Sequence, residues 1–318
     1  MKKLERHIFF LLLTGVLFAC VKEVNIAVPE HEPKIVVDGR IETDLPPFVL
    51  ISNTKNIYDP TDANALLESY VSGAVVSVSD GNNTVVLDEI CSDNLPPGTE
   101  EVFAAFFDIS VEDLPNVDVC LYTTINPVIF GQIGKKYTLT IDYEEEEYVG
   151  VTELLPPVPL DTVYWKESKP DSDKGLSWAT LSDPAGQYDA YFWEVRRINK
   201  NEEGEEKDLQ FEPTFSPTFD DSFFDGLTFD FGYENPFSYA PDEPEDKRGF
   251  YPRGDTVIIK FSKIDRAAFK FLEAKYVQLQ NNGSPFASPI NLPSNISNGA
   301  RGVWAGYSPS IDTLICND

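Results

Sequence analysis

Histidine is nearly missing from this chain. There are two in 318 residues, His7 and His31. His7 falls in an N-terminal segment read below as removable, and His31 in a stretch read as a linker. This scarcity argues against serine or cysteine hydrolases that rely on a histidine base, and against His-rich metal centres. Carboxylate-pair chemistry passes the filter because it needs only Asp and Glu. Such pairs arise everywhere among 53 acids, so their presence identifies nothing. Bases are scarce as well, 25 against those 53 acids, for a formal charge of −28. That balance argues against nucleic acid and anionic lipid headgroups as partners. Calcium or a basic partner is permitted, and an acidic surface also keeps an exported protein soluble. No Cys-x-x-Cys or His cluster provides a zinc site. A single Met beside 24 prolines points to many strands and turns with little helix.

Hydrophobic residues make up 42% and aromatics 13%, the composition of a globular chain. The N-terminus is organised differently from the rest. Lys2, Lys3 and Arg6 form a cationic region, and Ile8 to Phe18 an apolar one too short to span a bilayer. Leu17-Phe18-Ala19-Cys20 closes it and looks like the lipobox of a bacterial lipoprotein signal. Residues 1–19 are then a signal peptide, Cys20 carries the lipid, and residues 20–33 form a tether. Losing three bases and one acid with the signal leaves 22 against 52, a mature charge of −30. Lys22-Glu23 resembles the short signal that directs Bacteroidota lipoproteins to the outer face of the outer membrane. No later apolar run is long enough to cross a membrane. In an oxidising envelope Cys91 and Cys120 are candidate disulfide partners, and Cys316 is either free or a substitute for one of them.

Short strands with turn signals begin at Lys34. Ile35-Val36-Val37 leads through Asp38-Gly39 to Ile41, and Phe48 to Ile51 follows a Pro-Pro turn. Ala74–Val78 and Thr84–Leu87 flank Asp80-Gly81-Asn82-Asn83, a hairpin signal. Gly134 to Ile141 alternates like a half-buried strand, and Glu144 to Glu147 makes a solvated tip before Tyr148–Thr152 returns. Together these predict a mainly β fold, beginning with an immunoglobulin-like β-sandwich over 34–155. Leu154-Leu155-Pro156-Pro157-Val158-Pro159 reads as a stiff linker. A second β-rich domain is expected over 156–318, with strands near 161–165, 178–181, 191–196 and 256–261 and an irregular 211–250. One helix is expected near 263–280. Ser262 and Asp265 form a capping box, and Phe269, Leu272, Tyr276 and Leu279 fall on one face. Asn298-Gly299 and Gly302 read as turn positions with positive φ that let Trp304 and Tyr307 pack closely.

The chain resembles Bacteroidota lipoproteins classed as domain-of-unknown-function family 4249. The resemblance rests on Ile35 to Ile41, Gly134 to Ile141, Asp183 to Tyr191 and, above all, Asn281 to Pro289 followed by Ser294 to Tyr307. Where the family shows Asn-Pro-Phe, this chain has Gly283-Ser284-Pro285-Phe286. Family members are often encoded beside TonB-dependent outer-membrane receptors, which implies a role beside an import complex. The resemblance carries no catalytic residues.

One stretch mixes acids and aromatics in an expected loop. Asp220, Asp221, Phe223, Phe224, Asp225, Phe229 and Asp230 are candidate ligand or partner contacts. Carboxylates in a loop can hold calcium, although the spacing is not that of an EF-hand. Aromatics beside acids can instead stack on a sugar or grip a peptide. Arg253-Gly254-Asp255 reads as the turn before a strand and not as an adhesion signal. The leading expectation is a non-enzymatic, surface-anchored lipoprotein, an accessory or ligand-capture partner of a TonB-dependent receptor. The alternatives are a carboxylate-dependent glycoside hydrolase, which needs two acids across a groove, and a purely structural or adhesive envelope protein.

Overall fold

The structure is a computed structural model and describes residues 32–317 apart from 57–66, 68, 108, 171, 202–203, 205, 240–243 and 282–290. Cys20, the expected signal segment and most of the expected tether therefore lie outside the described residues, as do Asn282 to Pro289 of the C-terminal motif. Pro33–Asp318 forms one compact unit. The fold is mainly β with one prominent helix.

Alternating apolar residues build the first strands where the pattern predicts them. These are β1 (Ile35–Glu42), β2 (Phe48–Asn53), β3 (Val75–Ser79), β4 (Thr84–Val86) and β5 (Asp88–Cys91). A short helix, α1 (Glu100–Phe106), precedes β6 (Cys120–Thr123), β7 (Lys136–Tyr143) and β8 (Glu146–Glu153). The later elements are β9 (Thr162–Glu167), β10 (Lys174–Ser182), β11 (Ala190–Arg197), β12 (Glu212–Asp220) and β13 (Thr228–Tyr233). They continue with β14 (Tyr251–Pro252), β15 (Thr256–Ile264), α2 (Arg266–Gln280) and β16 (Arg301–Ile315).

One eight-stranded sheet, in the order β12-β11-β15-β16-β1-β2-β6-β5, runs through the unit. Two smaller sheets pack on it. The sheet β4-β3-β7-β8 faces β1, β2 and β6 over a core that includes Val37, Val49, Ile51, Val78, Leu139 and Ile141. The sheet of β13, β10, β14 and β9 faces β11 and β15 over a core that includes Trp165, Tyr191, Trp193, Tyr251 and Phe261. Helix α2 covers another face, where Phe269 and Leu272 meet Phe192, Val303 and Tyr307.

The seam between the sandwiches corrects the expected division into 34–155 and 156–318. Strand β16 belongs to both. Arg301 to Tyr307 pair in parallel with Val36 to Glu42, and Tyr307 to Ile315 pair antiparallel with Ile264 to Thr256. The Pro-rich stretch after β8 is not a free linker either. Leu154 is buried in the first core, and Val158 and Leu160 in the second. Prolines stiffen this segment, but its apolar side chains tie the cores together.

Four charged groups cross the same seam. Arg40 donates to Glu194 at 3.1 Å and to Glu42 at 2.7 Å, while Lys260 lies 3.1 Å from Glu194 and 3.4 Å from Glu42. The Tyr307 ring sits 4.3 Å from the Arg40 guanidinium carbon. Burial opposes the charge of Glu194, yet Arg40 and Lys260 hold its carboxyl below the usual range.

Trp304 shows why glycines flank the seam. Its indole N–H donates to the Tyr137 carbonyl at 3.0 Å, and the side chain is fully buried. A Cβ at Gly39 would come within 2.7 Å of the ring, and one at Gly150 within 2.9 Å of the Trp304 Cβ. Positive φ occurs at Asn298, Gly299 and Gly302, at 54°, 74° and 98°, as the turn pattern predicts.

The capping box at α2 is a second correction. Ser262 remains in β15, paired with Pro309, so it cannot cap. Asp265 is the cap itself, accepting from the main-chain N–H of Ala267 and Ala268 at 2.9 and 2.8 Å. Phe269 and Leu272 are buried as predicted, whereas Leu279 is exposed near the helix end.

Candidate functional site

The acid- and aromatic-rich stretch is not one loose loop. It runs from the end of β12, which pairs with β11 in the large sheet, into β13, which pairs with β10 in a small one. Residues 221–227 are the corner between two facing sheets. Phe224 plugs that corner, with its ring centroid 4.5 Å from Phe229 and 5.8 Å from Phe219. Phe229, Phe231 and Tyr233 alternate along β13 and pack on the second core. Phe224 and Phe229 are therefore packing residues. Phe223 differs, with 95% of its surface exposed at the tip.

The carboxylates separate as well. Asp230 points along the outer face of its sheet and accepts from the Thr180 hydroxyl at 2.7 Å. Asp220 accepts from the Ser222 main-chain N–H at 3.3 Å. Asp221 is buried and accepts from the Asp189 N–H at 2.9 Å, and Asp225 accepts from the Gly186 N–H at 2.7 Å.

The fold brings two further acids to this corner. Asp183 accepts from the Tyr191 hydroxyl at 2.6 Å and from the Gly226 N–H at 3.1 Å. Asp189 is fully buried, and the Lys263 ammonium lies 2.5 Å from its carboxylate. Carboxylate oxygens of Asp183, Asp221 and Asp225 all lie within 4.8 Å of one another. Burial pushes the Asp221 carboxyl up, and repulsion from Asp183, Asp189 and Asp225 adds to the rise. A hard cation suits such a group of oxygens. The main-chain N–H groups and the Tyr191 hydroxyl already bonded to these acids fix the corner without one.

Asp183, Asp189 and Lys263 were not legible as site residues. Asp183-Pro184-Ala185-Gly186 reads as a turn, which it is, and Lys263 lies 80 positions further along the sequence. Only the pairing of β11 with β15, which sets Tyr191 opposite Lys263, brings these groups together.

The candidate disulfide is formed. Cys91 and Cys120 sit directly opposite each other on β5 and β6. Cys316 is a buried free thiol, with burial and then the nearby Asp255 pushing its pKa up to about 12. No helix among the described residues is long and apolar enough to cross a membrane.

The model of a domain of unknown function, DUF4249, matches residues 21–310. The chain belongs to that family. A search of curated proteins found no match. Because the matched region spans nearly all of both sandwiches, the DUF4249 fold of this chain includes the seam and the acidic corner alike.

Proposed function

We propose that the chain is a lipoprotein tethered through Cys20 to an outer membrane, facing the cell surface, where it acts as a non-enzymatic accessory or ligand-capture partner of a TonB-dependent receptor. The Cys91–Cys120 disulfide carries the envelope part of this reading, because such bonds persist in oxidising compartments. The lipobox-like run ending at Cys20 supplies the tether. The corner residues support contact over catalysis. The acids there are engaged in bonds that build the turn, while Phe223 presents a bare ring to solvent. A glycoside hydrolase needs two free carboxyls facing across a groove, roughly 5–10 Å apart. Burial of Asp221 and its bond to the Asp189 N–H fit that role poorly.

Two measurements test the proposal. Cells fed a labelled fatty acid should label the wild-type chain and not Cys20→Ser. A tagged chain extracted in mild detergent should bring down a TonB-dependent receptor, and Phe223→Asp should weaken that capture. Recovery of the chain without any such receptor would overturn the accessory role and leave the structural or adhesive alternative.

A further inference from the structure

Beside the second sandwich lies a pocket of about 280 Å³ whose lining departs from the rest of this acidic chain. Bases are outnumbered about two to one overall, yet Lys174, Arg197, Lys207 and Lys247 all face this cavity. Two partly apolar walls come from Phe237 and Phe250. The Phe237 ring lies 4.5 Å from the Arg197 guanidinium carbon, and Phe250 lies 5.5 Å from the Lys174 ammonium.

The counter-ions of two of these cations sit behind the lining. Asp208 accepts from Arg197 Nε and Nη2 at 2.9 and 2.8 Å, and Asp255 lies 2.7 Å from the Lys207 ammonium. Both acids are buried, and neither lines the pocket. This arrangement holds the guanidinium rigidly by one edge. Its remaining N–H groups at Nη1 have no partner among the described residues. Lys247 is exposed and likewise has no ion-pair partner among them. Asp173 and Asp246 also line the cavity, and Asp246 pairs with Lys174 at 3.0 Å. Lys174 also donates to the Asp246 main-chain carbonyl, and the Asp246 side chain is 77% exposed, so water screens the carboxylate part of the contact.

We infer that this pocket binds a small organic carboxylate with an apolar or aromatic body. A fixed guanidinium edge flanked by ammonium groups recognises a carboxylate, and the two phenylalanines receive the attached group. The volume suits a ligand of amino-acid size and falls below the usual range for larger cofactors. The chain's negative field works against a polyanion. At physiological salt that field is confined to about 8 Å, so a single carboxylate pays little for the approach. This chemistry does not depend on the receptor proposal.

The test is calorimetric titration of the full chain in mild detergent with N-acetylphenylalanine, its neutral amide and inorganic phosphate. The acid should bind in the millimolar range or better, at least tenfold more tightly than the amide, and phosphate should not compete. Lys247→Gln, a surface change, should weaken acid binding about threefold to tenfold with unchanged thermal stability. Lys174→Gln should act in the same direction. Equal binding of acid and amide, loss of the acid to phosphate, indifference to both lysine variants, or no heat with the acid at about 10 mM would each overturn the inference.

Discussion

The core between β1, β2, β6 and the β4-β3-β7-β8 sheet is filled mostly by Val, Ile and Leu, with Tyr122, Tyr137 and Trp304 as its large rings. The core on the other side of the seam contains Trp165, Tyr191, Trp193, Tyr251 and Phe261, and Phe219, Phe224, Phe229 and Phe231 pack against it. Both solve the problem of filling the space between two sheets. Small branched chains do so with many interchangeable contacts, each set by strand alternation. Large rings do so with fewer, oriented contacts, such as the stacked Tyr191–Phe261 pair at 4.8 Å and the edge-on Trp193–Phe231 pair at 5.4 Å. The aliphatic sandwich carries the disulfide, whereas the aromatic one carries the corner of clustered acids and the basic pocket.

The largest effect should come from the strand both cores share. A Cβ at Gly302 would overlap the Val37 carbonyl oxygen, and its φ of 98° disfavours any side chain. Gly302→Ala should destabilise the chain by roughly 2–6 kcal/mol, combining backbone strain with overpacking. Hydrogen exchange read on peptides from both sandwiches should show them loosening together. Loss of protection in one sandwich alone would mean that the seam does not couple them.

Next in size are deletions within each core. Trp193→Ala should cost about 3–5 kcal/mol and Ile141→Ala about 2–5 kcal/mol, by urea unfolding. Rings that stack on one another cannot close around a missing indole, so Trp193→Ala should fall at the upper end and Ile141→Ala nearer the middle. Costs in proportion to the buried area each substitution removes would mean that ring geometry adds nothing beyond area.

The same contrast explains what was legible in the sequence. Aliphatic alternation at 35–41, 75–78 and 136–141 states its own strands, and β1, β3 and β7 lie there. The stretch 228–233 alternates as well, with Phe229, Phe231 and Tyr233 inward and Asp230 and Gly232 outward. There the acids, glycines and neighbouring prolines look like loop chemistry, which hid the period of two. The two-domain division failed for a different reason. A parallel pairing of β1 with β16 joins residues more than 260 positions apart, and no local signal announces it. The buried bond between Asp189 and Lys263 depends on strand register in the same way.

Removing the disulfide should act mainly by freeing the unfolded chain. Its ends are 29 residues apart, for which the loss of loop closure predicts about 3–4 kcal/mol. Cys91→Ser with Cys120→Ser should lower the urea midpoint and speed exchange first in β5 and β6, at the sheet edge. An unchanged urea midpoint would mean that the bridge does not restrict the unfolded chain.

The smallest expected effect is a pH dependence, and it too belongs to the first sandwich. Lys135 donates to Asp80 at 2.7 Å, and the main-chain N–H groups of Asn83 and Asn82 donate at 2.8 and 3.0 Å. The Lys135 bond, followed by the Asn83 bond, holds the Asp80 carboxyl well below the usual carboxylate range despite its burial. An acid whose folded pKa is depressed stabilises the fold fully above its unfolded value, near about 3.9, and loses that contribution as pH falls through the folded value. Wild type should therefore exceed Asp80→Asn in stability at neutral pH, with the gap narrowing steadily below about pH 4. Urea midpoints of the two proteins across that range provide the check. A constant gap down to about pH 2 would mean that the fold does not favour the ionised carboxylate of Asp80, since stability depends on pH only where a pKa differs between the folded and unfolded chain.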